Sequence, residues 1–368
     1  MIYGNRGVAL LLVLVTLAIV SVVSVEIIFS SRVDFRIGRN ARDRLQAEYL
    51  AQSAANLALL RLNIYGELKN LMERKDIPIQ IPDTVQEQIW SLNFPPFPLP
   101  DDISKAVQHF PGYFFGEIKT EGSKIPINLL DGNVHRKSDS KLQTQIQDEL
   151  KTLINGSLED EEFSDLYPDL KPEDLINPLI DWIDADSNKI DGGDESGDYD
   201  SGEDIYSPRN DRIPTLSEIV MVRNWNDDLL NRFSSSLSVL NNSTEVNPNF
   251  LPLTRIKAYG PKLTEAELKV IDLRRRETPF SSLKDLENFI KTSPDIKNGQ
   301  DFEFPAGLKE QKAETIFWVL ASGVVGEARK TLRLGIKIPR EMTIDKETRE
   351  KKPGKLIAPE VVLVEEKL

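Results

Sequence analysis

The stretch RGVALLLVLVTLAIVSVVSVE, residues 6–26, decides how the rest of the chain is read. From Val8 to Val25 it runs 18 residues, broken only by Thr16, Ser21 and Ser24. Wound as an α-helix such a block is about 27 Å long, enough to cross the hydrocarbon core of a bilayer. Arg6 stands before it, so the positive-inside rule sets the N-terminus in the cytoplasm and the body outside. A cleaved secretory signal has a longer charged start, a shorter apolar core and small residues at the cut, a role that Val22 and Ser24 fill poorly. Helical patterning also continues past the membrane edge. Between Glu26 and Met72 there is no proline, and Gly38 and Gly66 are the only glycines. Ile37, Leu45, Tyr49, Leu50, Ala54, Leu57, Leu60 and Ile64 recur at three- and four-residue steps, an amphipathic stripe. The expectation is one long helix, with residues 8–30 in lipid and a stripe over residues 33–64 that packs on partner helices. Leu45, Leu50, Leu57, Leu60 and Ile64 are the candidate contacts.

Composition narrows what the body does. At 368 residues the chain is long enough for two or three domains, and 40% hydrophobic content supports real cores. A net charge of −13 disfavours a general nucleic-acid binder, because neutralising phosphates needs a basic surface. The absence of cysteine excludes disulfides, thiolate nucleophiles and cysteine-ligated zinc. The two histidines, His109 and His135, lack a metal-ligand spacing.

After the helix, residues 76–102 are proline-rich and read as linker with short extended pieces. Gly112–Asp131 has the Tyr/Phe-rich composition of strands around a glycine turn and suggests a hairpin. Helical patterns follow near 142–155, at 173–183 with a start at Pro178, in two pieces over 215–240, and in two more split at Thr278-Pro279. Strand character returns at 313–339 with a turn at Gly326 and Glu327, and residues 341–368 look like a charged tail. Strands on both sides of a long helical stretch imply an insertion. The fold class expected is α+β: a first part at 31–130 and closing strands at 313–340, interrupted by an α-helical domain at 131–312.

The N-terminus resembles that of type IV pilins and pseudopilins, in which a short basic leader ends in Gly. The resemblance implies cleavage between Gly7 and Val8 by a prepilin peptidase, leaving residues 1–7 behind and the apolar block intact. It also implies a pilin-like fold, a long N-terminal helix packed on a small antiparallel sheet. Most pilins carry Glu at the fifth mature position; here it is Leu12, as suits a subunit that need not dock beneath an earlier one. With "INLLD", "LIDWIDAD", "IPTLSEIVMVRNW", "TPFSSLKDL" and "FWVLASG" in order, the chain from Arg6 to about Pro339 is similar to the general secretion pathway protein K family of type II secretion minor pseudopilins. That resemblance implies a single-pass inner-membrane protein with its body in the periplasm, contacting inner-membrane lipid. It implies the I- and J-type minor pseudopilins as partners, at the tip of a short pilus, and no enzymatic activity.

The segment "DWIDADSNKIDGGDESGDYDSGED" holds ten carboxylates against one lysine, and that density repels itself unless a cation is present. Asp184, Asp186, Asn188 and Glu195 stand at positions one, three, five and twelve of an EF-hand-like pattern. The pattern breaks at position six, where Lys189 replaces Gly, and nothing helical follows Glu195, so a true EF-hand is not expected. Asp191, Asp194, Asp198, Asp200 and Asp204 complete the candidate oxygen ligands. An all-oxygen set on a glycine-rich backbone suits Ca²⁺ better than Mg²⁺, which demands stricter octahedral geometry. The alternative is a solvated acidic loop without metal. The family resemblance adds that protein K has calcium sites in this insertion.

The stretch from Ile256 to Leu286 resembles a helix-hairpin-helix (SAM-like) unit, but Pro261 and Lys262 follow Gly260 where a DNA-binding hairpin bares Gly-x-Gly amides to a phosphate. Packing is the preferred reading, with no nucleic acid expected. Enzyme signatures such as G-x-S-x-G, a phosphate loop or H-E-x-x-H are absent. Two rival functions stay open at this point: a DNA-uptake pilus component using the hairpin, and a membrane-tethered calcium binder with no pilus role.

Overall fold

The computed structural model describes residues 5–73, 81–91, 94–98, 112–131, 137–199, 206–305, 307–311, 313–344 and 351–367. His109, His135, Asp200 and Asp204 lie outside them, as does the side chain of Asp198. Helix α1 (Asn5–Met72) is 68 residues long without a break. From Leu10 to Arg42 it is exposed throughout, the profile of a segment suited to lipid on one half. It is the one helix among the described residues that is long and apolar enough to cross a membrane. From Asp43 onward one face is buried, and that face is made of small residues: Ala47, Ala51, Ala54, Ala55 and Ala58, with Leu50, Leu62 and Tyr65.

Small residues let the helix axis close onto a sheet. Beyond α2 (Asp83–Ser91) the chain lays down β1 (Phe94–Pro98) and β2 (Gly112–Thr120). It leaves the sheet through β3 (Ile125–Pro126), traverses a helical region containing β4 (Leu237–Ser238), and returns as β5 (Ile316–Val325) and β6 (Ala328–Lys337). Then come β7 (Arg340–Ile344), β8 (Lys351–Leu356) and β9 (Glu360–Lys367). The main sheet is antiparallel with order β1-β2-β5-β6-β9. Helix α1 lies across it, and Gly323 of β5 is where they touch: a Cβ there would stand 2.1 Å from the Ala47 carbonyl oxygen. At the far end Tyr65 and Phe317 pack edge-on, and Phe317 meets Trp90 with ring centroids 5.0 Å apart.

The helical region is an insertion with a narrow neck. Thr120 pairs with Phe317, and the Glu121 amide donates to the Ile316 carbonyl at 2.8 Å, so the chain leaves and rejoins adjacent strands at one point. Inside are α3 (Lys137–Leu158), α4 (Glu161–Leu166), α5 (Pro172–Ile183), α6 (Asp227–Phe233), α7 (Leu253–Tyr259), α8 (Glu265–Glu277) and α9 (Leu283–Thr292). Local chemistry starts several of them: Asn226, Thr264 and Ser282 each accept a first-turn amide as N-caps. The helices enclose two apolar cores, one around Ile146, Leu179, Ile219 and Phe233 and one around Ile256, Leu268, Leu286 and Phe302. A buried ion pair ties α7 to α3 and the neck: Arg255 donates to Glu149, to the Ser123 carbonyl at 2.6 Å and to the Tyr259 hydroxyl at 3.0 Å.

Three sequence expectations change. Gly112–Asp131 is not a hairpin, because β2 pairs with β5 across the insertion and β3 pairs in parallel with β4. Helix α5 starts at Pro172, with Pro178 inside it. A mid-helix proline leaves an unpaired carbonyl one turn back; here the Asp174 carbonyl accepts from Asn224 Nδ2 at 2.9 Å instead. Residues 341–368 are not a simple tail: β7 and β8 form a hairpin and β9 extends the main sheet beside β6. The hairpin is pinned to α1, since Asn70 exchanges two side-chain hydrogen bonds with the backbone of Leu356.

Where neck and sheet meet, Glu314 is wholly buried and accepts from Thr120 Oγ1. Burial raises its pKa to about 8, the Thr120 bond opposes this, and the nearby Glu87 adds to it. A carboxyl with a folded pKa above its unfolded value binds more protons folded than unfolded, so its contribution to stability is lost as pH rises between the two. Glu314→Gln is therefore expected to gain on the wild type in thermal melts as pH climbs from 5 to 8, by about 1 kcal/mol per pH unit. A melting difference that stays flat over that range would show Glu314 to be ionised in the fold.

Candidate functional site

Two features of the molecule offer themselves for function: the turn after α5 and the outer face of α1. Helix α5 buries Leu175, Ile176, Leu179, Ile180, Trp182 and Ile183, which locks its C-terminal end into the first core. Asp181 sits on that last turn, buried, and Asp184 is the C-cap. The chain then folds back: Gly192 and Gly193 take φ of 91° and 104°, in the left-handed region that glycine adopts without strain. Asn188 and Asp194 form an antiparallel bridge, and the Glu195 amide donates to the Ser187 carbonyl at 3.2 Å. This return carries Glu195 under the end of α5, where it is 2% exposed.

Carboxylate oxygens of Asp181, Asp184 and Glu195 lie within 4.8 Å of one another. Both Glu195 oxygens and Asp184 Oδ1 are buried and accept no hydrogen bond among the described residues. Asn210 Oδ1 is buried without a partner too, while its Nδ2 donates to the Asp186 carbonyl at 2.6 Å. Desolvation, reinforced by Asp184, Asp181 and Asp186, pushes Glu195 up to about 7. Desolvation, with Asp186 and Asp181 next, pushes Asp184 up to about 6. Asp181 Oδ1 accepts from the Ile190 amide at 3.0 Å. The buried oxygens of Glu195 and Asp184, repelling one another without a donor among the described residues, are costly unless a cation joins them. Two oxygens on one Ca²⁺ at about 2.3–2.6 Å lie at most about 5 Å apart, so the observed spacing fits.

Of the sequence-derived ligands, Asp184 and Glu195 converge. Asp186 and Asn188 are exposed, and Asp186 Oδ1 accepts from the Asn188 amide at 2.8 Å. Asp191 accepts from Asn177 Nδ2 at 2.9 Å, and Asp194 accepts from the amide and hydroxyl of Ser196, so both shape the loop. Asp181, counted in the acidic segment, is not among the candidate ligands because it lies inside an apolar helix pattern rather than in the loop. An acidic residue within "LIDWI", one turn from a carboxylate run, was the available signal.

The stripe on α1 divides between two faces. Leu50 is 6% exposed and packs with Ala47 and Val325, and Leu57 lies against the core formed with the sheet. Leu50 is thereby taken up by the protein's own fold, and Leu57 packs in part against it. Leu45, Leu60 and Ile64, with Tyr49, are 48–61% exposed on the opposite face. Gly7 and Val8 both lie within the first turns of α1.

The α7–α8 turn has little to offer a phosphate. Pro261 has no amide hydrogen, and the Gly260 and Leu263 amides donate to the Ile256 and Gly260 carbonyls at 3.1 and 2.9 Å. Glu267 accepts from the Thr264 amide at 2.8 Å and, beyond α9, from the Lys297 and Asn298 amides at 2.7 and 3.0 Å. Burial opposes its ionisation, but the hydrogen bonds from Thr264 and Asn298 win and hold it down to about 2. Lys262 is paired with Asp301 at 2.6 Å.

Comparisons with known proteins bear on the whole. Residues 137–242, which contain the carboxylate cluster, match the family model described as Type II secretion system (T2SS), protein K. A chain in the crystal structure of the GspK-GspI-GspJ complex from the enterotoxigenic Escherichia coli Type 2 Secretion System is similar in fold, with a TM-score of 0.56. The identity is 15%, and the match covers 90% of this chain and 99% of that one. No curated protein matches the sequence. The protein K resemblance read from the sequence agrees with the family match over residues 137–242, and the α+β class with the structural one.

Proposed function

We propose that this chain is a minor pseudopilin of a type II secretion system, of the protein K kind, acting by assembly and not by catalysis. The observation that carries this reading is the architecture itself: a membrane-length helix seated on an antiparallel sheet, with a helical domain inserted between two adjacent strands. In this reading a prepilin peptidase cuts between Gly7 and Val8 on the cytoplasmic side of the inner membrane, and the body stands in the periplasm. The outer face of α1, carrying Leu45, Leu60 and Ile64, docks on other minor pseudopilins of the I and J type. The bulk of the insertion, hung from its neck, caps further growth at the tip. Asp181, Asp184 and Glu195 hold Ca²⁺, which neutralises their repulsion and orders the turn after α5. The DNA-uptake alternative is less well supported, because in the turn it needs Pro261 has no amide hydrogen and the Gly260 and Leu263 amides donate to backbone carbonyls.

Co-expression of the full chain with its prepilin peptidase and the other minor pseudopilins tests this. The mature protein is expected to start at Val8 by intact mass and to co-purify with them from membranes. Leu60→Asp with Ile64→Asp should cut recovery of the complex about tenfold or more, by burying charge in an apolar contact, and leave the melting temperature of the single protein unchanged. Leu50→Asp should instead lower that melting temperature. An N-terminus near Val25, or full recovery with both outer-face variants, would sink the reading.

A further inference from the structure

Between the apolar block and the body α1 leaves a bare stalk. The first residue of α1 buried against the body is Asp43, whose Oδ2 is 3.9 Å from where a Cβ on Gly326 would stand, at the β5–β6 turn. Phe29 closes the apolar run, so residues 30–42 span about 20 Å at the helical rise with no part of the body against them. This stretch and the two residues after it are basic: Arg32, Arg36, Arg39, Arg42 and Arg44 stand against Asp34 and Asp43, in a chain of net charge −13. Arg39 and Arg42 reach Asp43 at 3.5 and 3.0 Å. Arg32 and Arg36 have no ion-pair partner among the described residues.

Spacing places these arginines together. Arg32, Arg36 and Arg39 recur at i, i+4 and i+7, and so share the helix face that, three turns on, packs Ala47, Leu50 and Ala54 on the sheet. Because α1 is unbroken, their distance from the lipid is set: Arg32 lies about 5 Å and Arg36 about 10 Å beyond Phe29 along the axis. A headgroup layer is about 5–8 Å thick on each side, and an arginine side chain bends back to it by burying its stem. Phe29 and Phe35, 64% and 74% exposed, flank the same level. The charge pattern is also costly to the topology read from Arg6. Arginines next to an anchor favour the cytoplasmic side, although long domains translocate largely regardless of charge, so five of them on the body's side imply a use there.

We propose that Arg32 and Arg36, with Arg39 beside them, bind the phosphate groups of anionic phospholipids in the leaflet on the body's side. The occupant follows from charge complementarity and position: unpaired guanidiniums, which suit phosphate in bidentate geometry, stand where a bilayer puts its phosphates. The contact fixes how deep α1 sits, and keeps the stalk at an acidic surface that would otherwise repel the acidic chain.

The test uses the full chain in nanodiscs of equal phosphatidylcholine and phosphatidylglycerol, released into native mass spectrometry to count retained lipids. Wild type is expected to keep phosphatidylglycerol over phosphatidylcholine, and Arg32→Gln with Arg36→Gln to reduce that enrichment about tenfold or more. Arg32→Lys with Arg36→Lys should keep most of it, and Arg274→Gln with Arg276→Gln, basic residues on α8, should keep all of it. Equal retention of the two lipids by wild type, or unchanged enrichment in the Gln pair, would overturn the proposal. So would a photo-crosslinker at Phe35 that, in membranes, captures an acidic protein segment in place of lipid.

Discussion

Full-length protein moved from millimolar calcium into EGTA is expected to melt about 10 °C lower. The expectation rests on Asp181, Asp184 and Glu195, whose carboxylates crowd within 4.8 Å while buried oxygens of Glu195 and Asp184 lack a hydrogen-bond donor. An ion that binds the folded state alone stabilises it by mass action, by about 4 kcal/mol at a thousandfold excess over its dissociation constant. At about 2–4 °C per kcal/mol for a domain of this size, that gives the stated shift. Mg²⁺ should restore much less, since it needs a smaller and more regular oxygen cage. Glu195→Gln is the sharper arm. It should abolish the calcium response, yet melt in EGTA at or above the wild type, because a desolvated charge has gone. Asp191→Asn and Asp194→Asn, which alter residues engaged in loop hydrogen bonds, should keep the response. Identical melting with and without calcium, with no ion retained on purification, would leave the loop a solvated acidic run.

The second large effect concerns the contact between α1 and the sheet. Gly323→Val is expected to destabilise the protein by about 3 kcal/mol or more, at the upper end of what overpacking costs. A side chain there meets the Ala47 carbonyl at 2.1 Å and the Ala51 amide nitrogen at 2.6 Å, which are backbone atoms with no rotamer to yield. Helix α1 would have to lift from β5, loosening the face that holds Leu45, Leu60 and Ile64 in line. Both the melting temperature and recovery of the partner complex should therefore fall. Gly38→Ala provides the contrast, with nothing within 4 Å of the new methyl and a gain in helix propensity of about 1 kcal/mol. A Gly323→Val protein that melts within 2 °C or so of the wild type would mean that α1 is not seated as described.

Much of this protein is written in short-range pattern. Freedom from proline over Glu26–Met72 foretells the unbroken α1, and Thr264 with Glu267, or Ser282 with Asp285, marks where α8 and α9 begin. Strand composition on both sides of a helical stretch suffices to read an insertion. These features depend on residues a few positions apart, and the local hydrogen bonds and side-chain spacings that decide them are visible in any window of the chain. What tertiary structure alone decided involves distant partners. The apolar stripe of α1 has two opposite faces, and only the arrival of β5 and β6 determines that Leu50 is core while Leu60 stays exposed. β2 finds its neighbour on the far side of the insertion, so the glycine turn after it is a neck and not a hairpin. β9 reads as charged tail until β6 offers its edge, since a strand's stability lies in the cross-strand pair and not in its own composition. Asp181 looks like one polar residue in a buried helix until a glycine turn brings Glu195 back beneath it, because the cost of a buried carboxylate, and so its demand for a cation, is set by neighbours that only the fold supplies.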